Sequence, residues 1–385
     1  MAFLIRLTNT ISKSIAVLNN NPKRLWRIIV NRIGYNLSPL SGWRAPFPVN
    51  IFLLIYNRCN LKCVMCDLGH VGNHGAYSSN IHLRQPMSTN QWLRLIDEVA
   101  PYSPGIFFPA PEPLLNADIV MMVERVKKHG LFCSVATNGL LLDKFIVPFL
   151  EAGLDSLEIS LDGPPDLHDK IRGVPKTFSR CVYAVKDVIR QRGQRKTPKI
   201  NITVTITHLN YHRLVETLDT LAVEFPQGIR GVTVSHLSHT PQHIAVAHNS
   251  NYPEFLSDFY TPPEVALGVD TGTLFKELTA IMRYKYPFPV TISPDLSHRQ
   301  INEWYHHQEL LSLTHTVCGF PWQTANIMPN GDVMISSICG PVLGNVTLEK
   351  LSSIWNNSVM RKVRHDIYKI KMYPICIGCC GSRVY

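Results

Sequence analysis

The chain is predicted to be an α/β protein built around a parallel β-sheet. From residue 49 onward, six short apolar runs with the composition of β-strands alternate with helical runs. The connections between them are short, which places consecutive strands side by side and parallel. Residues able to carry chemistry directly follow four of these strands, at the end of a parallel sheet where active sites form.

Each element is predicted from its own pattern. The predicted strands are Val49–Tyr56, Gly105–Phe108, Phe132–Ala136, Ser156–Leu161, Lys199–Thr207 and Gly231–Leu237. The predicted helices are Ser88–Val99, Ala117–His129, Asp143–Ala152, Phe178–Arg192 and Tyr211–Phe225. In the first of these helices, Ser88 and Gln91 form the pattern of a capping box.

The composition is that of a folded globular protein. Of the 385 residues, 45% are hydrophobic and 17% are charged, and the length suits one large domain with a smaller one. No apolar run approaches the roughly 18 residues of a membrane span, and no signal-peptide pattern is evident.

Positive charge is concentrated in the N-terminal part of the chain. Residues 1–66 contain nine basic and no acidic residues, whereas the rest of the chain is nearly neutral, with 29 basic against 28 acidic residues. A near-neutral body does not favour nucleic-acid binding.

Residues 3–33 carry an amphipathic helical pattern that Pro22 divides in two. Its apolar positions are Leu4, Leu7, Ile11, Ile15, Leu18, Trp26, Ile29 and Ile33. A basic amphipathic segment of this kind can pack on the main domain or lie on an anionic membrane surface, here through residues 1–40. An acid-free start rich in Arg and Ser is also typical of an organellar transit peptide.

Three cysteines, Cys59, Cys63 and Cys66, lie on one short loop after the first predicted strand. Three thiolates at this spacing can hold three irons of a [4Fe–4S] cluster and leave the fourth iron open to a small molecule. A structural zinc site is the alternative, although zinc loops are usually built from paired CxxC units. Iron–sulfur ligation requires thiolates in a reducing compartment, so we expect a cytoplasmic protein that is possibly peripheral to a membrane.

Four motifs in order over about 120 residues resemble the radical S-adenosylmethionine (SAM) superfamily. They are the cysteine loop, Glu112-Pro113-Leu114-Leu115, Thr137-Asn138-Gly139, and Ser160-Leu161-Asp162-Gly163-Pro164 followed by His168-Asp169-Lys170-Ile171-Arg172-Gly173. The two glycines that usually precede the family's glutamate are replaced here by Ala110 and Pro111.

The resemblance implies a partial (β/α)6 TIM-like barrel and a reaction type. In this family, one electron from the cluster cleaves SAM to a 5′-deoxyadenosyl radical, which abstracts hydrogen from the substrate. The electron comes from a reductant such as flavodoxin or ferredoxin. The outcome would be oxidation, epimerisation or a related rearrangement.

The resemblance also suggests SAM-binding residues. Glu112 can accept hydrogen bonds from the methionyl amine, Asp162 can bind the ribose hydroxyls, and Arg172 can pair with the SAM carboxylate. Met65 is suited to pack against adenine, although ordinary core packing is equally possible. Asn138 and Ser160 complete the predicted cofactor-binding set.

A second set of cysteines follows near the C-terminus, at Cys318, Cys339, Cys376 and Cys379. Asn330-Gly331 lies between two strand-like runs and predicts a β-hairpin. Cys318 and Cys339 would then lie on or beside this hairpin. Four thiolates can ligate a whole [4Fe–4S] cluster or a zinc ion. The layout resembles the SPASM/twitch extension of radical SAM enzymes and predicts one auxiliary [4Fe–4S] cluster.

The other cysteines receive separate interpretations. Cys380 is surplus to the second set and is a tentative hydrogen donor to a substrate radical, an alternative ligand or a passive thiol. Cys133 and Cys181 fall on a predicted strand and a predicted helix, where we expect buried structural thiols.

These observations divide the chain into four predicted segments. Residues 1–48 form a basic amphipathic helical extension, 49–237 the partial barrel, 238–317 a barrel closure with a substrate-covering insertion, and 318–385 a small α+β auxiliary-cluster domain. His236, His239, His243 and His248 are predicted to be solvated side chains of the covering loop. Pro241 argues against a helix that would align His239 and His243 for a metal.

The predicted function is a radical SAM enzyme acting on a small molecule, such as a sugar, a glycosylated compound or a lipid-linked metabolite. Maturation of a ribosomal peptide is the second hypothesis. The 48 residues before the first strand are too short for the winged-helix peptide-recognition domain that such enzymes often carry. A non-catalytic iron–sulfur or zinc scaffold near a membrane is the third hypothesis, and it predicts no SAM binding.

Overall fold

A single ten-stranded sheet organises the molecule. The computed structural model describes residues 22–66, 85–109, 111–255, 268–311, 318–336 and 340–379. The strands are β1 (Asn50–Leu53), β2 (Gly105–Phe108), β3 (Cys133–Thr137), β4 (Ser156–Ser160), β5 (Lys199–Thr205), β6 (Gly231–Ser235), β7 (Val290–Ser293), β8 (Thr324–Ile327), β9 (Asp332–Met334) and β10 (Gly344–Asn345). Their order in the sheet is β10-β9-β8-β1-β2-β3-β4-β5-β6-β7.

The six predicted strands are confirmed as β1–β6, adjacent, in sequence order and all parallel. They form the predicted partial (β/α)6 barrel. The sheet continues beyond it at both edges, because β7 pairs in parallel with β6 and β8 pairs in parallel with β1. Neither pairing was predicted, since residues 238–300 and 318–327 do not continue the alternating pattern.

Helices cover the outer face of the sheet. They are α1 (Pro22–Leu37), α2 (Thr89–Val99), α3 (Ile119–Lys128), α4 (Ile146–Ala152), α5 (Pro165–Arg172), α6 (Thr177–Arg192), α7 (Leu214–Glu224), α8 (Gln242–Asn251), α9 (Thr271–Arg283), α10 (His298–His306), α11 (Phe320–Gln323), α12 (Leu351–Ile354) and α13 (Ser358–Ile370). The predicted capping box is confirmed at the start of α2. Within the described ranges, no helix has the length and apolar character needed to cross a membrane.

Alternation along the strands separates the core from the lumen. In β5, Ile200, Ile202 and Val204 are fully buried and belong to the main hydrophobic core, while the residues between them are half-buried. Because successive side chains on a strand point to opposite faces, the half-buried residues face the inside of the barrel. The lumen is therefore lined by a different set of residues from the packed core.

The N-terminal helix α1 packs across the lower end of the barrel. Arg24 donates a hydrogen bond from Nη2 to Asn50 Oδ1 (2.9 Å), and its guanidinium lies 4.5 Å from the centroid of the Phe132 ring. Tyr35 meets Trp322 edge to face at 4.9 Å. Packing on the main domain is thus the outcome for the second predicted helix, while the first lies outside the described residues. On the same helix, Trp26 is 63% exposed.

The C-terminal segment begins as part of the barrel sheet. The predicted hairpin is confirmed: β8 and β9 are antiparallel, and Gly331 adopts a φ of +88° in the turn between them. β8 also pairs with β1, the strand that precedes the first cysteine set. The segment that carries the second cysteine set is therefore joined to the barrel sheet beside the first set.

The prediction of a loop with solvated histidines is wrong for the described residues. His236, His239 and His248 are at most 1% exposed. Pro241 does not prevent a helix but caps one, because α8 begins at the next residue. Only His243 of this group is an exposed side chain, at 66%. His236 and His239 are buried against Trp304 and Tyr305 of α10, and His248 is buried against aromatic rings that include Phe255 and Tyr373. Sequence periodicity does not reveal these contacts.

Candidate functional site

The first cysteine loop is held against the ends of neighbouring elements. Lys62 N–H donates to the carbonyl of Arg172 (3.2 Å), and Val64 N–H donates to the carbonyl of Ile171 (2.9 Å), both at the end of α5. Gly173 follows with a φ of +71°, and a Cβ there would lie 2.5 Å from the Lys62 carbonyl oxygen. The glycine of the predicted motif therefore serves the close approach between α5 and the cysteine loop.

The three thiols of this loop lie in a small apolar environment. Cys63 is buried with Leu61 and Leu140, and Cys59 and Cys66 are half-buried beside them. Burial raises the pKa of the Cys63 thiol to about 11, although the Arg172 guanidinium acts in the opposite direction. The thiolates that a cluster requires would thus be stabilised by the iron itself.

Glu112 connects the ends of β2 and β3. Its Oε1 accepts hydrogen bonds from Leu114 N–H (3.0 Å) and the Thr137 hydroxyl (2.9 Å), and its Oε2 accepts one from Asn138 N–H (2.9 Å). The side chain is 1% exposed, and burial raises its pKa despite these three donors. Since a carboxylate offers about four acceptor positions, Oε2 retains capacity for one more donor, as the proposed contact with a methionyl amine requires.

Asn138 lies next to the cysteine loop. Its Nδ2 donates to Asn60 Oδ1 (2.8 Å) and lies 4.0 Å from Cys59 Sγ. Gly139 has a φ of +82°, and a Cβ there would overlap the sulfur of the buried Cys181. Asn60, which the sequence analysis did not single out, is therefore part of the site, and its position directly after Cys59 was the available signal.

Asp162 and Arg172 form a buried ion pair beside the cysteine loop. Asp162 is fully buried, with Oδ2 paired to Arg172 Nη2 (2.5 Å) and Oδ1 accepting from Thr205 N–H (2.8 Å). Arg172 Nη1 also donates to Cys63 Sγ (3.7 Å). Burial opposes the Arg172 charge, but attraction to Asp162 and Cys63 outweighs it and raises the pKa. The two side chains thus support the cysteine loop, and their contacts with ribose hydroxyls and a SAM carboxylate stay predictions.

The remaining predicted residues of this site lie at its border. Met65 is half-buried and packs with the apolar residues around the cysteine loop. Ser160 ends β4 and is half-buried on the lumen side, paired in register with Thr203. Contacts of both residues with a cofactor stay predictions.

Hydroxyl groups line the lumen wall formed by β5 and β6. Thr203, Thr205, Thr233 and Ser235 are half-buried and alternate with core residues. Among the residues that the structure describes, these four hydroxyls have no hydrogen-bond partner and none is sealed from solvent. The wall therefore presents hydrogen-bonding groups that the protein itself does not use.

Below this wall, a polar floor closes the lumen. Glu158 Oε1 accepts hydrogen bonds from the Ser156 hydroxyl (2.8 Å) and from Asn201 Nδ2 (2.9 Å). Burial raises the pKa of Glu158. With these partners, Glu158 is part of the structure of the floor.

Cysteines of the second set line one apolar cavity. Cys318, Cys376 and Cys379 share it with Phe255, Phe320, Ile335, Ser336, Ile367, Met372 and Tyr373, and the space between them is about 420 Å³, part of which is open to solvent. Cys318 is buried, and Cys376 and Cys379 are half-buried at the end of the segment after α13. Three converging thiols in apolar surroundings are a donor set suited to an iron–sulfur cluster.

Cys339 and Cys380 lie outside the described residues, so the fourth predicted ligand and the tentative hydrogen donor stay predictions. Cys133 and Cys181 are fully buried on β3 and α6, as expected for structural thiols. In the described part of the chain, no three His, Cys, Asp or Glu side chains are arranged to hold a single metal ion. A cube differs in that each of its thiolates binds a separate iron.

Comparison with known proteins agrees with this geometry. Residues 53–221 match the model of the radical SAM superfamily, and residues 318–380 match SPASM, an iron–sulfur cluster-binding domain. The first match runs from the end of β1 through β5 into α7 and contains the cysteine loop, and the second contains all four predicted auxiliary cysteines.

Proteins named for different reactions are similar to parts of this chain. A Fe-coproporphyrin III synthase of Methanosarcina barkeri is 30% identical over 169 residues, which are 43% of this chain and 39% of that protein. A PqqA peptide cyclase of Xanthomonas axonopodis is 25% identical over 345 residues, 87% of this chain and 81% of that protein. The chain thus matches less than half the length of the first relative.

Solved structures show the same fold. SuiB of Streptococcus suis has a TM-score of 0.61 at 14% identity, over 94% of this chain and 78% of that one. The superfamily and SPASM matches imply a [4Fe–4S] cluster with SAM, and auxiliary iron–sulfur ligation at the C-terminus. From the two domain matches, this chain carries a radical SAM superfamily domain and a C-terminal SPASM iron–sulfur cluster-binding domain.

Proposed function

We propose that the enzyme abstracts hydrogen from a small, hydroxyl-bearing molecule, such as a sugar or a glycosylated or lipid-linked metabolite, bound in the barrel lumen. The hydroxyl wall carries this proposal. The hydroxyls of Thr203, Thr205, Thr233 and Ser235 can both donate and accept, and none of these hydroxyls has a charge or a protein partner among the described residues. A neutral substrate with many hydroxyl groups complements such a wall.

The chain's own residues would prepare the reaction. When bound, the cluster and SAM supply a 5′-deoxyadenosyl radical. Cys59, Cys63 and Cys66 would hold the cluster, while Glu112 would orient the methionyl amine through its remaining acceptor position. Asn138 would fix the loop between them through Asn60.

The C-terminal cysteines would serve electron transfer. A cluster ligated by Cys318, Cys339, Cys376 and Cys379 has no open iron for a substrate. Accepting the electron of a substrate radical would make the net reaction an oxidation. If the cluster does not accept it, the outcome is redox-neutral, as in an epimerisation.

Maturation of a peptide is the second candidate function. It is favoured by the similarity to a PqqA peptide cyclase, which extends over 87% of this chain, whereas the similarity to the Fe-coproporphyrin III synthase covers 43%. A peptide would also find hydrogen-bond partners in the hydroxyl wall through its backbone. The two candidates therefore differ in the substrate and not in the initiating chemistry.

SAM cleavage is the first experiment. Anaerobically reconstituted, dithionite-reduced protein should form 5′-deoxyadenosine from SAM, and Cys63→Ala should abolish its formation because one iron loses its ligand. Cys133→Ala, at a buried cysteine on β3, is the matched control and should retain activity. An active Cys63→Ala variant, or an inactive wild-type enzyme with a full cluster, would contradict the proposed activity.

The second experiment separates the substrate classes. Deuterium-labelled cell extract is divided into an ultrafiltered small-molecule fraction and a peptide fraction, and deuterium transfer into 5′-deoxyadenosine is measured by mass spectrometry. We expect transfer from the small-molecule fraction, and loss of that transfer after periodate treatment, which cleaves vicinal diols. Transfer that is sensitive to protease and resistant to periodate would instead establish the peptide function.

A further inference from the structure

The second cysteine loop is attached to the barrel at the end of β6. His239 N–H donates to the carbonyl of Gly378 (3.1 Å), and the Thr240 hydroxyl donates to the carbonyl of Ile375 (3.2 Å). Both acceptors belong to the segment that carries Cys376 and Cys379. Because β6 and β1 are parallel strands of one sheet, this attachment lies at the same end of the barrel as the first cysteine loop.

The attachment leaves no room for a side chain at Gly378. A Cβ at this position would penetrate both the carbonyl oxygen of His239 and the amide nitrogen of Gln308. No positive φ requires glycine here, so the close backbone approach is the reason for it. The CxxC segment is therefore fitted to the barrel at backbone contact distance.

Two buried polar side chains form the barrel's half of this contact. Gln308 is 1% exposed, and its Nε2 lies 3.0 Å from both the His239 carbonyl oxygen and His239 Nε2. The His239 ring stacks on Tyr305 at 5.7 Å, with Nδ1 3.3 Å from the Leu237 carbonyl oxygen. Burial lowers the pKa of His239 to about 4, so the ring is neutral and its Nε2 accepts from Gln308.

We propose that His239 and Gln308 are positioning residues for the auxiliary cluster, which hold the Cys376–Cys379 loop in one place at the rim of the barrel. Neither residue belongs to the first cysteine site or to the cavity that the second set lines. His239 contacts Gln308 and Gly378, which lie 69 and 139 positions further along the chain. These contacts therefore connect the barrel with the auxiliary site. The proposal requires the auxiliary cluster and is independent of the substrate.

The consequence concerns the electron path. The distance from the auxiliary cluster to the lumen depends on where the Cys376–Cys379 loop meets β6, and hydrogen bonds and burial around a cluster set its potential. Without the Gln308 amide, the His239 carbonyl would lose a hydrogen-bond donor, and the loop that contacts His239 could shift. The first cluster, tied to α5 and β1, would not be affected.

The test compares variants of the full chain after anaerobic reconstitution. Gln308→Ala should shift the midpoint potential and the EPR signal of the auxiliary cluster. The signal of the first cluster, which is identified by its change on addition of SAM, should stay as in the wild type. Gly378→Ala should lower the iron content from about eight to about four per chain, because the loop must move away from His239.

Matched controls distinguish positioning from general damage. Gln242→Ala replaces an exposed glutamine of α8, and Gly272→Ala replaces a glycine of α9 with room for a Cβ, so both should retain wild-type iron, potential and EPR signals. If Gln308→Ala does not fold, Thr240→Val, which removes the hydroxyl that donates to the Ile375 carbonyl, should show the shift. Wild-type auxiliary signals in the folded variants, or equal loss of both clusters, would overturn the proposal.

Discussion

At the scale of single residues, Arg172 shows how one side chain can stabilise a loop that it does not belong to. Its guanidinium contacts Asp162 and Cys63, while its backbone carbonyl accepts the Lys62 N–H. The charge lies inside the protein and is balanced by a buried carboxylate. Removing one partner of such a pair leaves an uncompensated charge, which costs more than removing both.

We therefore predict that Arg172→Gln lowers the free energy of unfolding by about 3–5 kcal/mol, because Asp162 loses its counter-charge. The double variant Arg172→Gln/Asp162→Asn should recover a large part of this loss. Urea unfolding of the three proteins measures the difference. A single variant as stable as the wild type, or a double variant less stable than the single one, would show that the ion pair does not have this role.

Among the elements, helix α1 has an amphipathic pattern that suited either the main domain or a membrane surface, and in the structure it packs on the main domain. Arg24 reaches beneath β1–β3, where it bonds Asn50 and covers the Phe132 ring. Burial lowers the Arg24 pKa to about 10, because the charged guanidinium is less stable away from water. Trp26 remains on the outer side of the same helix, and membrane association through this side stays a prediction.

Arg24→Ala should accordingly destabilise the protein by roughly 1–3 kcal/mol, through the lost hydrogen bond, cation–π contact and packing. Trp26→Ala, on the exposed side of α1, should change stability by less than about 0.5 kcal/mol. Chemical unfolding measures both, and limited proteolysis shows whether α1 has detached. Equal effects of the two substitutions would contradict the packing described for this helix.

Across the whole molecule, several buried histidines are held in the neutral form. His168, His236 and His239 are each 1% exposed, and burial lowers their pKa values to about 4, 3 and 4. His168 accepts from Asp162 N–H (3.1 Å), and His236 lies 3.0 Å from the Tyr305 hydroxyl. The folded protein thus binds fewer protons than the unfolded chain in mildly acidic solution.

These lowered pKa values predict acid sensitivity. The stability contributed by a buried neutral histidine is complete above the unfolded pKa of about 6.5 and decreases as the pH falls towards the folded value. At pH 5.5, each of the three should cost roughly 1.4 kcal/mol relative to neutral pH.

Unfolding measured at pH 7.5 and pH 5.5 tests this in variants. His236→Asn should lose less stability between the two pH values than the wild type does, while His243→Asn, at an exposed position, should match the wild type. An identical pH dependence in all three proteins would mean that His236 is not a buried neutral group in the folded state.

The sequence alone determined the order of the elements and the chemistry at their ends. Strands β1–β6 carry clear apolar runs, and local rules of capping and turn formation were sufficient for α2 and for the hairpin at Gly331. The spacing of Cys59, Cys63 and Cys66 depends on neighbours within one loop, so it was readable without a fold.

Only the tertiary structure decided the contacts between distant segments. The pairing of Arg172 with Asp162, the burial of His239 and its contact with Gly378, and the union of β8 with β1 join residues that no short pattern relates. Periodicity reports which face of an element is apolar but not which partner covers it. The sequence therefore determined the cysteine spacing and the motifs of the radical SAM domain, whereas packing determined how the two cysteine sites are held on one barrel.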